Sequence, residues 1–239
     1  MKIGDYEVNK KLFIAFIIIV ALCVISLIFK MYLSGRENRY KVDKDREYIY
    51  RYDYYSASKT NIPYINIDTD FVNNLNTQIQ KIGLSYKNSQ TSNNSMSYRF
   101  NQYQNILSLV LIFKSLNSNN ELQFEFKTYV FDLNDGGRVL TDKEMLNLFN
   151  LNMDEVNDIL NTKMKKKYND EVKKKIIPSN ICAYSDCYLR LRGINNFLDG
   201  ANYYIENGKL IVYRSFNTYS VYEEEKYFTR DDFKFVVSS

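Results

Sequence analysis

The stretch MSYRFNQYQNILSLVLIFKSLNSNNELQFEFKTYVFDL, residues 96–133, carries the clearest β pattern of the chain. It divides into three strand-like runs, Met96–Tyr103, Ile106–Leu116 and Leu122–Leu133, separated by short polar pieces. In the third run Leu122, Phe124 and Phe126 alternate with Gln123, Glu125 and Lys127. Successive strand side chains point to opposite faces, so this run has one buried face and one wet one. Asn117 to Asn120 read as a hairpin turn. Strands joined so tightly pair antiparallel.

Downstream, the tight turn Asn134-Asp135-Gly136-Gly137 leads into the apolar pair Val139-Leu140. Thr141-Asp142-Lys143-Glu144 fits a capping box, in which hydroxyl and carboxylate each satisfy an orphan backbone amide. It opens a short helix through Met145, Leu146 and Phe149. A longer helix is expected from Asp154 to about Lys175, with Val156, Ile159, Leu160, Met164, Tyr168 and Val172 inward and Pro178 as its stop. Tyr203–Ile205 and Lys209–Arg214 flank Glu206-Asn207-Gly208, and Asn-Gly is what a type I′ hairpin turn demands. Strands around Tyr219–Tyr222 and Phe233–Val237 complete the chain.

Upstream, the polar loop 87–95 follows an expected helix with N-cap options at Asp68 to Asp70. Phe71, Val72, Leu75, Ile79 and Ile82 keep its 3–4 spacing, and Gly83 is expected to end it. Pro63 marks an edge or an extended run. YIYRYDYY, residues 48–55, places Tyr48, Tyr50, Tyr52 and Tyr54 on one strand face, with Ile49, Arg51 and Asp53 on the other. The fold class is α+β, a mainly antiparallel sheet with three helices packed on it over residues 48–239, with possible halves 48–133 and 134–239.

Leu12 to Phe29 read LFIAFIIIVALCVISLIF, eighteen residues with Ser26 as the only polar one. As a helix this run rises about 27 Å, near the ~30 Å hydrocarbon core. Met31 to Leu33 extend it past a snorkelling Lys30, so residues 12–33 read as a transmembrane anchor. Residues 1–11 then form a short tail and the charged stretch 34–47 a solvated tether. Phe29-Lys30-Met31-Tyr32 is a poor signal-peptide exit, and Leu22 before Cys23 does not suit a lipoprotein signal. An uncleaved single-pass anchor is expected. Literal lysine and arginine counting on the flanks places the C-terminal domain inside. Long domains translocate largely regardless of charge, and Lys10-Lys11 abut the apolar run, which pull the other way; the outside orientation is preferred mostly from the family resemblance given below.

Composition narrows the chemistry. The 239 residues hold 32 basic and 28 acidic side chains, no histidine, no tryptophan, 22 tyrosines and three cysteines. Eight glycines and two prolines argue against a loop-rich or low-complexity chain. Without histidine, Ser-His-Asp and Cys-His nucleophiles and HExxH zinc hydrolysis are excluded. A net charge of +4 gives no electrostatic case for nucleic acid. No cofactor is expected, and the chain is read as a non-enzyme.

Three segments carry a family resemblance. NIPYINIDTDFVNNLNTQI (61–79) resembles the opening strand and helix of an extracytoplasmic module common in Gram-positive bacteria. YVFDLNDGGRVLTDKEMLNLF (129–149) resembles its strand, Gly turn and short helix, and NYYIENGKLIVYRSFNTY (202–219) resembles its closing hairpin. That module occurs in the lysozyme-sensing anti-sigma-V factor and on the N-terminal side of a membrane-anchored peptidoglycan deacetylase. The tail 1–11 is too short for a sigma-binding domain, and a histidine-free chain lacks the deacetylase's metal ligands. The resemblance therefore implies a cell-membrane protein with only the sensor or binding module outside. Its partners would be the bilayer, through the N-terminal helix, and a cell-wall glycan such as peptidoglycan or a secreted protein such as lysozyme. A structural subunit of a membrane complex and a carboxylate-based wall hydrolase are the alternatives.

Five features offer candidate chemistry. The tyrosine face Tyr48/Tyr50/Tyr52/Tyr54 suits glycan stacking or a protein interface, with cross-strand core packing the favoured reading. Cys182 and Cys187 are expected to form a short-loop disulfide if the domain lies outside the cell, and to be buried thiols if inside. Glu223 to Glu225 and Asp231-Asp232 are acidic clusters that read more readily as a solvated edge than as paired catalytic carboxylates. Lys163, Lys165 to Lys167 and Lys173 to Lys175 form a basic patch, fit for anionic wall polymers or lipid headgroups, or merely the wet side of an amphipathic helix. Asp132 to Gly136 is faintly calcium-loop-like but lacks the required ligands, so a β-turn is expected.

Overall fold

The computed structural model describes residues 2–3, 6–7, 19–20, 24–26, 47–52, 60–89, 93–177, 184–194, 200–218 and 226–238. The chain forms two units, Met1–Asp43 and Lys44–Ser239. In the first, β1 (Lys2–Ile3) pairs antiparallel with β2 (Tyr6–Glu7). The expected anchor 12–33 lies outside the described residues apart from 19–20 and 24–26, which are helical and leave Ile19, Val20, Val24 and Ile25 exposed. Among the described residues no helix is long and apolar enough to cross a membrane.

The second unit is α+β, with antiparallel sheets. β3 (Ile49–Arg51) pairs with β4 (Pro63–Ile65), and α1 (Asp70–Lys87) follows behind its N-cap Thr69. The meander β5 (Ser95–Tyr103), β6 (Ile106–Leu116) and β7 (Leu122–Asp132) falls within one residue of the expected strands. Asn117 closes the second turn by accepting the Asn119 and Glu121 amides on Oδ1. Beyond β7 come β8 (Arg138–Val139), α2 (Asp142–Leu148) and α3 (Met153–Lys173). Both α2 and α3 begin with complete capping boxes, Thr141/Glu144 and Asn152/Glu155. A short helical stretch, Tyr184–Leu191, precedes β9 (Ala201–Glu206), β10 (Lys209–Arg214), β11 (Phe216–Asn217) and β12 (Lys234–Val236).

Beyond the β3–β4 pair, the described strands of this unit build two stacked sheets, where one had been expected. The larger has the order β11-β7-β6-β5 with β8 also on β7, and the smaller is β12-β10-β9. The division arises at Ser215: β10 stops, the chain bends, and β11 joins the larger sheet against Phe124. Ser215 Oγ accepts the Phe126 amide at 3.2 Å, which holds the bend to the sheet it enters. Because β8 and β11 both pair with β7, the halves 48–133 and 134–239 do not separate.

β6 explains its own sequence. Val110 and Ile112 face the smaller sheet, while Leu107, Leu109, Leu111 and Phe113 alternate onto the opposite face, all buried. A strand covered on both sides reads as a continuous apolar run, as ILSLVLIF does. The second face is covered by α1, whose Tyr86 ring lies 5.5 Å from that of Phe113. Toward the smaller sheet, Phe126 meets Tyr213 at 5.1 Å and Ser108 Oγ accepts the Ile205 amide. The far side of β9 and β10 receives α3: Val156, Leu160 and Met164 are at most 1% exposed, each contributing about 1.5–3 kcal/mol of burial.

Several boundaries differ from expectation. Gly83 is inside α1, not at its end, because a side chain there has no room: an added Cβ would lie 2.6 Å from Ile62 Cγ1. Phe71 and Ile82 are exposed. Pro178 lies outside the described residues, and α3 ends earlier, in a Schellman motif. Lys175 takes φ +59°, its amide donates to Val172 O, and the Ile176 amide donates to Glu171 O. A left-handed non-glycine residue costs about 1–2 kcal/mol. Lys175→Gly is therefore expected to raise the urea midpoint, with stabilisation of about 1 kcal/mol; an unchanged or lower midpoint would contradict the strain. The expected strand Tyr219–Tyr222 lies outside the described residues, as does the tether 34–47 apart from Glu47.

Candidate functional site

A cleft opens at one end of the larger sheet. There the β5–β6 turn, the end of β7, α2 and the β9–β10 turn converge around a cavity of about 610 Å³. Its apolar surface comes from Tyr103, Ile106, Leu148, Phe149 and Ile205, and its polar surface from Asn105, Asp132, Arg138, Glu144 and Asn147.

Each wall follows from local chemistry. Asn207 and Gly208 take φ +51° and +76°, the pair of positive values a type I′ turn needs. A Cβ on Gly208 would stand 2.9 Å from Tyr103 Cζ, so the bare turn lets the Tyr103 ring lie against it. Asn101 and Asn207 exchange two hydrogen bonds, Asn101 Nδ2 to Asn207 Oδ1 and Asn207 N–H to Asn101 Oδ1, each 3.1 Å. The ring is thereby fixed with 40% of the residue exposed. Asp132 Oδ1 accepts from Asn105 Nδ2 and the Asn134 amide, both at 2.9 Å. It caps a 3₁₀ turn at Leu133–Asp135, where a β-turn had been expected, and Gly136 and Gly137 follow with positive φ.

Arg138 spans Asp135 at 2.7 Å and Glu144 at 2.9 Å. Glu144 also accepts the Thr141 amide and hydroxyl at 2.8 Å each. The Arg138 guanidinium and these Thr141 bonds hold the carboxyl down to about 2. Glu144 is thus an acceptor at neutral pH and a poor proton donor. What this wall offers is a preorganised set of amides, carboxylates and one guanidinium beside an exposed ring. Such groups can exchange hydrogen bonds with hydroxyls and amides.

The tyrosine face expected from the sequence is elsewhere and is split. Ile49 turns into the core at 1% exposure, whereas Tyr50 and Tyr52 are exposed at 40% and 49%. Tyr48 is buried, and Tyr54 lies outside the described residues. Tyr50 stacks on its cross-strand partner Tyr64 with centroids 5.0 Å apart. Core packing thus accounts for Tyr48 alone.

Cys187 is disulfide-bonded, and Cys182, its expected partner, lies outside the described residues. Asp231 and Asp232 are committed to different cations. Asp231 receives both Arg99 guanidinium nitrogens at 2.7 and 2.9 Å, and Asp232 receives Lys167 at 2.7 Å. Glu223 to Glu225 lie outside the described residues. Among the described residues no group of three or more cysteines or carboxylates is placed to hold a metal ion.

A buried network beneath α3 was not anticipated. Arg192 Nη2 donates to Glu171 Oε2 and Tyr188 Oη to Glu171 Oε1, both at 2.8 Å, with Arg192 fully buried. Burial, then the adjacent carboxylate, pushes the Tyr188 phenol far above its usual range. The available signal was the helical spacing itself, which puts Glu171 on the stripe of Leu160 and Met164.

Compared with the models of known protein families the chain matches none, and a comparison with curated proteins likewise found no match.

Proposed function

We propose that this chain is a membrane-anchored, non-enzymatic binding module displayed outside the cell, and that its sheet-end cleft takes an amino-sugar glycan of the cell wall. The apolar run 12–29 supports the anchor, and the likeness of segments 61–79, 129–149 and 202–219 to an extracytoplasmic module supports the setting. The observation that carries the ligand class is the exposed Tyr103 ring beside convergent amides and carboxylates. A sugar ring presents an apolar face for stacking and hydroxyls for planar polar groups. Leu148 and Phe149 add apolar surface suited to an acetamido methyl group.

Titration of the full chain, in phosphatidylcholine nanodiscs, with a soluble peptidoglycan tetrasaccharide tests this. Tyr103→Ala and Asn147→Ala are expected to weaken binding about tenfold each, while a Tyr50→Ala/Tyr52→Ala variant binds as wild type. Loss in the hairpin variant alone, or no binding by the wild type, would overturn the assignment. A second reading rests on the exposed Tyr50–Tyr64 stack with Tyr52 beside it, an aromatic surface suited to a secreted protein partner.

A further inference from the structure

We infer that the second cleft, between α3 and residues 227–236, binds a linear phosphate-bearing polyanion, independently of the glycan reading. This cleft has a volume of about 440 Å³. Its charged walls carry Lys163, Lys166, Lys167, Lys174 and Lys234 against Asp170, Glu171 and Asp232. Most of the acids are already neutralised within the fold. Asp232 accepts Lys167 at 2.7 Å, together with the Thr229 amide and hydroxyl. Glu171 is held by Arg192 and Tyr188, and Lys234 is paired with Glu206 at 2.6 Å. Among the described lining residues, Lys163, Lys166 and Lys174 face the ligand space, with Asp170 opposing them.

The geometry favours an extended ligand. Lys163 on α3 and Lys174 at its C-cap are eleven positions apart, a rise of about 16 Å. The opposite wall is kept rigid. Lys167 lies 5.3 and 5.0 Å from the Phe228 and Phe233 ring centroids while bonding Asp232, so the 228–233 segment is clamped to α3. Exposed Tyr227 and Val236 raise a rim on that side. A flat bilayer surface does not enter such a channel, whereas a flexible chain of phosphates can lie along it. Lysine ammonium groups act as strongly hydrated point charges, suited to successive phosphates rather than to one bidentate anion.

The test uses the full chain in phosphatidylcholine nanodiscs and short-chain polyphosphate as the probe, read by calorimetry at several salt concentrations. Wild type is expected to bind with an affinity that falls steeply as salt rises. Lys163→Gln/Lys166→Gln/Lys174→Gln should lose about tenfold or more. Lys81→Gln/Lys143→Gln/Lys209→Gln, with the same charge change elsewhere, should bind as wild type. Equal loss in both triple variants would overturn the site, because binding would then follow net charge. So would binding to phosphatidylglycerol vesicles, sensitive to the first triple variant, without binding of polyphosphate. Unchanged circular dichroism and melting of both variants exclude unfolding as the cause.

Discussion

Arg192→Met is expected to destabilise the second unit by about 3–5 kcal/mol in urea denaturation, a large share of the 5–15 kcal/mol typical of a domain. Three losses coincide. The Glu171 carboxylate, 3% exposed, is left with Tyr188 and a distant Lys167 at 3.8 Å. The Asn217 carbonyl loses the Arg192 Nη1 donor at 3.0 Å, so β11 is loosened at the edge of the larger sheet. The Phe228 ring loses the guanidinium stacked 4.5 Å above it. Removing one partner of a buried pair strands the other, whereas replacing both with apolar groups of similar volume is nearly neutral. Glu171→Leu/Arg192→Met should therefore be more stable than Arg192→Met alone. Additive losses, or a single-variant loss below about 1 kcal/mol, would show that the network is not a coupled unit.

Gly83→Ala is the second large effect, and its sign separates packing from propensity. At an exposed interior helix site this change stabilises by up to about 1 kcal/mol. Here the added methyl meets Ile62 Cγ1 at 2.6 Å and Cδ1 at 2.7 Å, and Ile62 is completely buried. A β-branched side chain walled in on all sides has few rotamers to escape into. The expected outcome is destabilisation of about 1–3 kcal/mol, read from the urea midpoint. In an Ile62→Ala background the same substitution should cost far less. A stabilised Gly83→Ala variant would mean that the helix shifts freely over β4.

What was legible in the sequence was what depends on neighbours along the chain. The meander 95–132 follows from three strand-like runs broken by short polar turns, the last of them alternating, the Asn207-Gly208 turn from the demand for positive φ, and the Thr141/Glu144 box from a three-residue spacing. Of the tyrosine run only Ile49–Arg51 is strand among the described residues, and its facing is open in the sequence, since Ile49 and Tyr50 are both acceptable core residues. The structure turns Ile49 inward. Gly83 was misread because a glycine that ends a helix and one that admits a neighbour look alike in sequence. The second sheet was hidden by β9 and β10, whose two buried faces erase the alternation that would have marked a layer.

The sheet-end cleft was illegible for a further reason. Tyr103, Asp132, Glu144 and Gly208 come together only through the registers of three hairpins and the stacking of two sheets. No local pattern encodes that meeting. The lysines of α3 were visible as a patch, but their pairing was not. Lys167 is taken up by Asp232, 65 positions away, while Lys163, Lys166 and Lys174 line the open cleft.

Hydrogen exchange on the full chain, with and without the peptidoglycan tetrasaccharide, shows whether the sheet-end cleft holds the proposed ligand. Added protection is expected at residues 103–106, 144–149 and 205–208, with residues 48–52 and 64 unchanged. Protection confined to the tyrosine hairpin, or no change anywhere, would contradict it.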